Sequence, residues 1–233
     1  TLENGLVLRK NLLCIGELAI KKDNPFNHKT DKYGKISRIY YEILQFFIPN
    51  GVSVLEAGSS TGHLSLELAK EEEREISLIE IRPKAVRLGK KRFEEAGVSA
   101  KFYLGNFLEH DIKYDFIWNT GLICSGFEDG VKEDFVQKAS ELSENLLVIC
   151  GDNVRAYPEL EIEKRRIERG SIPRGGDPDM PIGVGAAITY PGINVPVIFS
   201  KYYKKVYTGM ISQNDGFPGS ERFWTFGTNG ELE

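Results

Sequence analysis

Cysteine is scarce in this chain of 233 residues, which holds only Cys14, Cys124 and Cys150, far apart from one another. An odd count without C-x-x-C spacing excludes a zinc ribbon or a disulfide framework, so no metal site is expected and a reducing, cytoplasmic setting is. No run reaches ~18 apolar residues, which excludes a membrane-spanning helix. No basic stretch leads into an apolar one at the N-terminus, so no signal peptide is expected. A surplus of positive charge is missing too: 30 Lys and Arg stand against 34 Asp and Glu, for a net charge of −4 and a pI near 5.6. That counts against a general nucleic-acid binder, since neutralising a phosphate backbone takes a concentrated basic surface. A local patch stays open. Internal repeats and low-complexity segments are also lacking.

What is present describes an ordinary globular protein. A hydrophobic content of 41% beside a charged content of 27% rules out a disordered or fibrous chain. The length suits one large domain, or a domain with a modest appendage. Residues 1–35 have mixed periodicity and then a polar, turn-rich connector, and they are expected to form a segment covering the cleft of a main domain at 36–233. From Ile36 the pattern is helical, with Ile39, Tyr40, Ile43, Leu44 and Phe47 at spacings of three and four. Pro49, Asn50 and Gly51 stop it.

Alternation follows. Val52, Val54 and Leu55 form a short apolar run closed by an acid, Glu56. Gly58 and Gly62 then bracket Ser59, Ser60 and Thr61, and a helical pattern begins at His63. Further strands are predicted at 76–80, 100–104, 114–118 and 146–149, between helices at 63–74, 83–96 and 129–143. Strands alternating with helices of this length imply right-handed crossovers and an α/β fold with a doubly wound, mainly parallel sheet covered on both faces. Beyond Asp152 the character changes. A charged helix is predicted at 158–170 and a glycine- and proline-rich loop at 170–196, of the kind that walls a substrate pocket. The β-rich stretches 195–210 and 221–228 are expected to pair antiparallel, completing seven strands.

Ligands of such sheets bind beyond the carboxyl ends of the strands, where the strand order switches. Four features fall at those ends: residues 56–62, Glu80, the Gly105-Asn106-Phe107 triplet, and Asn119 with Thr120 and Gly121. Glu80 follows Gly62 by one helix and one strand, which brings it to the neighbouring strand tip. An acid there accepts hydrogen bonds from the vicinal hydroxyls of a ribose. Dinucleotide folds want G-x-G-x-x-G, whereas this chain reads G-S-S-T-G-H-L-S from Gly58, with neither the second nor the third glycine in place.

Residues 54–62, V-L-E-A-G-S-S-T-G, instead resemble motif I of the class I S-adenosylmethionine-dependent methyltransferases, with Ser60 at the middle glycine position. The resemblance covers about 36–152. It implies that residues 56–62, including Glu56, Ala57, Gly58, Ser59, Ser60 and Gly62, hold the methionine portion, with Glu56 near its ammonium group. Glu80 would bind the ribose hydroxyls and Ile81 would lie against the adenine. Asn106 would face the exocyclic amine with Phe107 packing nearby, and Asn119 would border the methyl group and acceptor, the one candidate catalytic residue. The implied activity is methyl transfer by in-line displacement, with S-adenosylmethionine as cofactor. A small-molecule acceptor is favoured, a nucleic-acid acceptor is not excluded, and no membrane partner is expected. A non-catalytic S-adenosylmethionine-binding module and a nicotinamide-dependent oxidoreductase are the rival readings.

Bland readings suit the remaining residues. His63 is a cap-region residue more readily than a base. Lys84, Arg87, Lys90, Lys91 and Arg92 form the solvated face of a helix. Lys164, Arg165 and Arg166 do the same, although with Arg169 and Arg174 they could mark an anionic substrate. Tyr202, Tyr203 and Trp224 are expected in strand packing.

Overall fold

A strand with neighbours on both sides and helices on both faces sees no water, and its sequence must be apolar throughout. β1 (Ser53–Ala57) meets that condition at Val54, Leu55 and Ala57, all wholly inaccessible, departs from it at the buried Glu56, and lies inside a seven-stranded sheet. The computed structural model describes residues 32–71, 73–123, 129–150, 195–211 and 222–230. In chain order the elements are α1 (Lys32–Phe47), β1, α2 (His63–Ala69), β2 (Glu75–Glu80), α3 (Pro83–Glu95), β3 (Lys101–Leu104), a 3-10 turn (Phe107–Glu109), β4 (Phe116–Thr120), α4 (Asp129–Leu142), β5 (Asn145–Cys150), α5 (Val195–Phe199), β6 (Lys205–Ile211) and β7 (Arg222–Thr228). The strand order is β3-β2-β1-β4-β5-β7-β6. The first five strands run parallel, and β7 runs antiparallel to both β5 and β6. The winding reverses between β1 and β4, so the switch point lies at the tip of β1.

Alternate residues of each strand feed one of two cores. On one face, Val54, Ile76, Leu78, Phe116 and Trp118 pack with Ile43, Leu44 and Phe47 of α1, the leucines of α2 and Phe93 of α3. Phe47 reaches across to β7, its ring centroid 5.0 Å from that of Trp224 and 4.8 Å from that of Phe226. On the other face, Leu55, Ala57, Ile79, Ile117, Leu146 and Val148 pack with Phe135, Val136 and Ala139 of α4 and Phe199 of α5. The seven strands, the mainly parallel order and the antiparallel C-terminal pair agree with the expected fold.

Three boundaries are corrected. The fourth strand begins at Phe116 and keeps Asn119 and Thr120, where 114–118 was expected. Tyr114 and Asp115 are taken up at the sheet's lower rim: the Tyr114 N–H donates to Leu142 O at 2.9 Å, and Asp115 Oδ2 accepts from the Ser53 N–H and hydroxyl. The helix after the glycine loop ends at Ala69 rather than 74. Arg74 beyond it donates to Ile48 O at 3.0 Å and Pro49 O at 3.1 Å, satisfying carbonyls just past the end of α1. Residues 195–199, read as β-rich, form α5 because Val195, Ile198 and Phe199 then share one buried face. Packing overrides the β preference of valine and isoleucine.

The cleft-covering segment at 1–35, apart from its last four residues, lies outside the described residues. So do the helix at 158–170, the loop at 170–196 short of Val195, Cys14 and Cys124. Among the described residues no helix is long and apolar enough to cross a membrane.

Candidate active site

Three left-handed backbone positions, two residues apart, shape the loop after β1. Gly58 has φ +69°, Ser60 φ +51° and Gly62 φ +65°. Glycine takes this conformation without penalty, while an L-residue such as Ser60 is strained by its Cβ. The bends turn successive N–H groups inward. Those of Gly58 and Ser59 both donate to Ile79 O, at 2.9 and 3.1 Å, and that of Gly62 returns to Ser59 O at 2.8 Å. Gly62 is also needed for packing, because a Cβ there would lie 2.4 Å from Leu78 Cδ2 and 3.2 Å from Phe93 Cε2. At Gly58 a Cβ would meet only the end of the Leu122 side chain, at 3.0 Å.

Glu80, at the tip of β2, is held from two sides. Its Oε2 accepts from the Ser60 N–H at 2.8 Å. Its Oε1 accepts from the Arg82 N–H at 2.9 Å and from Arg82 Nε at 3.0 Å. A fourth contact, Arg82 Nη2 to Oε2, is 3.4 Å long. The loop after β1 and the strand tip beside it are therefore joined through one carboxylate.

Glu56 lies deeper, between its register partners Leu78 and Trp118. It is buried and accepts a hydrogen bond from the Ser65 hydroxyl of α2 at 2.7 Å. Burial pushes its carboxyl up to about 8; the Ser65 hydrogen bond opposes the rise and the charge of Glu80 adds to it. A carboxyl buried this way wants a cation brought to it.

The other candidates divide by position. Ile81 and Leu104, 43% and 57% exposed at the tips of β2 and β3, give the rim beside Glu80 an apolar surface of the sort that flanks a planar base. Asn106 caps the 3-10 turn, its Oδ1 accepting from the Leu108 N–H at 3.1 Å. Phe107 turns inward and packs on Phe135 with ring centroids 4.7 Å apart, backing the turn from the core. Asn119 is fully buried. Its Nδ2 donates to Ala57 O at 2.7 Å and its Oδ1 accepts from the Leu122 N–H at 3.0 Å, so it ties the tip of β1 to the turn after β4. The strand tips thus bring residues 56–62, Glu80 and Ile81 together, with Asn106 one strand further out and Asn119 on the opposite side of β1.

Sequence reasoning missed Ser65, Arg82 and Leu122. Arg82 had a usable signal, a cation two residues after a proposed ligand acid. Ser65, buried in α2 among Leu64, Leu66 and Leu68, shows its role only once α2 is laid over β1.

The arrangement fits an adenosyl amino acid. A carboxylate at the switch point can take a diol, an apolar rim can flank a base, and a buried acid can receive an ammonium. A family model described as a methyltransferase domain matches residues 48–152. Among solved structures, the chain is similar to an S-adenosylmethionine-dependent methyltransferase from Methanosarcina mazei, with 14% identity over 80% of this chain and 96% of that one and a TM-score of 0.62. It is also similar to magnesium protoporphyrin IX methyltransferase from Synechocystis PCC 6803 with bound S-adenosylhomocysteine, with 13% identity over 93% and 94% of the two chains and a TM-score of 0.60. At these identities the likeness is one of fold. No curated protein sequence matches the chain. The matched stretch runs from β1 through β5 and contains the whole glycine loop and Glu80, so it is the part of the chain holding the candidate site, residues 48–152, that is similar to a methyltransferase domain.

Proposed function

We propose that this enzyme methylates a small-molecule acceptor, with residues 56–62, Glu80, Ile81 and Asn106 forming the cofactor seat. The observation that carries the reading is the joining of the left-handed loop to Glu80 through the Ser60 N–H at 2.8 Å. It sets a backbone cradle and a diol acceptor side by side at the switch point. In this seat Glu80 takes the ribose hydroxyls and Ile81 lies against the adenine. Asn106, with Phe107 behind it, faces the exocyclic amine. Glu56 balances the ammonium group from below.

When bound, the cofactor supplies a sulfonium-activated methyl group, which passes in line to the acceptor and leaves a neutral thioether. The protein's part is alignment and the exclusion of water. Asn119 contributes by position: with both ends of its amide engaged, it fixes the floor between Ala57 and Leu122 that borders the transfer site. A base enters only where the acceptor has a proton to lose.

The net charge of −4 supports a small-molecule acceptor over nucleic acid. Residues 1–35 and 170–196 are the proposed acceptor walls, and the scarcity of cysteine supports a cytoplasmic setting.

Calorimetry with S-adenosylhomocysteine tests the seat. Wild type binds, while Glu80→Ala and Gly58→Val do not; wild-type affinity in both variants would sink the assignment. A panel of small molecules and RNA incubated with labelled donor then reads the acceptor class. Transfer to RNA alone overturns the small-molecule choice.

A further inference from the structure

The Glu80 carboxylate is full. A carboxylate offers about four lone-pair positions, and four donors occupy them: the Ser60 N–H, the Arg82 N–H, and Nε and Nη2 of the Arg82 guanidinium. A ribose bound through its two hydroxyls needs two of these positions. The two backbone donors cannot be released without remodelling the loop after β1 and the start of α3. The side-chain fork can leave by rotation, since the Arg82 side chain is 24% exposed and that of Glu80 only 6%.

We propose that Arg82 is an affinity-setting residue that occupies the ribose positions of Glu80 in the empty enzyme, and that cofactor binding exchanges its fork for the diol. Two donors leave and two arrive, so Glu80 stays fully satisfied throughout. An emptied site therefore does not expose a bare buried carboxylate beside Glu56, whose own charge Glu80 disfavours. The cost falls on affinity, because every ligand that brings a ribose must first displace an ion pair. Ligand and product meet the same competitor, so product release is helped by the return of the guanidinium. This inference rests on the placement of the ribose at Glu80 proposed above.

Calorimetry on the intact chain compares wild type with Arg82→Ala and Arg82→Lys. The probes are S-adenosylhomocysteine and 5′-deoxy-5′-methylthioadenosine, which keeps the ribose diol but lacks the amino acid. Arg82→Ala binds both about 3- to 10-fold tighter than wild type, the range for losing a partly exposed charged pair. Arg82→Lys falls between, because an ammonium cannot span both oxygens. Circular dichroism confirms that each variant is folded. Unchanged or weaker binding by a folded Arg82→Ala overturns the exchange, as does a gain confined to S-adenosylhomocysteine, which would place the effect at the amino acid. If wild type binds neither probe, the ribose placement itself fails.

Discussion

The Ser65 hydroxyl donates to Glu56 Oε2 across 2.7 Å, joining the first turns of α2 to the strand that α2 follows. Among the described residues no cation is paired with Glu56, so that hydrogen bond is a weak counterweight to burial, and the Glu56 carboxyl stands at about 8 instead of its ordinary 4.5. The folded enzyme therefore keeps a proton that the unfolded chain has lost. The stability this group contributes is fully present below its ordinary value and is lost as pH rises through the folded one. Between those values the ligand-free wild type loses up to about 1.4 kcal/mol per pH unit from this residue. Glu56→Gln has a flatter profile over the same window, and urea denaturation at about pH 5.5 and about pH 8 compares the two. Parallel profiles would show that Glu56 is not protonated in the fold.

Ser60 holds a left-handed backbone where the resembled motif has glycine. Its contribution to Glu80 comes from the main-chain N–H, which glycine also has. Ser60→Gly therefore keeps the joint and relieves the Cβ, and its stability lies within about 1 kcal/mol of wild type on the favourable side, the gain being trimmed by the extra freedom of glycine in the unfolded chain. Ser60→Val, β-branched, loses about 1–2 kcal/mol. Chemical denaturation of the three proteins gives the order.

Gly51 and Gly62 share a left-handed φ but not their surroundings. Nothing lies within 4 Å of a Cβ added at Gly51, whereas one at Gly62 would overlap Leu78. Gly51→Ala costs about 1 kcal/mol from backbone strain alone, and Gly62→Ala about 3 kcal/mol from strain plus overpacking. Equal losses, read from thermal unfolding, would mean that α2 is not seated closely on β2.

Asp115 and Ser53 form a closed pair at the opposite rim. The Ser53 N–H and hydroxyl donate to Asp115 Oδ2 at 2.8 and 2.7 Å, and the Asp115 N–H donates back to Ser53 Oγ at 3.0 Å. These hydrogen bonds hold the Asp115 carboxyl below its ordinary value of 3.8. The stability it adds is present above that value and lost as pH falls through the folded one. Asp115→Ala is destabilised by about 1 kcal/mol at neutral pH. The gap from wild type narrows as pH falls below that ordinary value, which urea titrations follow.

Much of the site was legible because its parts are adjacent in sequence or separated by one helix and one strand. Residues 56–62 and Glu80 are of that kind, and alternation alone puts them at neighbouring tips. What stayed hidden depends on the third dimension. Phe107 turns into the core because α4 presents Phe135 to it, and no spacing in the sequence announces that pairing. Both ends of the Asn119 amide are engaged by backbone 62 and three residues away. In α5 the composition points to a strand, and only burial against α4 and β7 decides for a helix.

The last strand of the sheet is not its last position. β7 lies between β5 and β6, and Thr228 Oγ1 donates to Asn145 Oδ1 at 2.7 Å across 83 residues of chain. On the ribosome, β5 is made long before the strand that pairs with it, so its outer edge waits with unpaired N–H and C=O groups beside an apolar face. β6 and β7 can meet as a hairpin as they emerge, but the pair must then dock as a unit. Until it does, the nascent enzyme carries an open sheet edge, the stage at which a chaperone has most to protect.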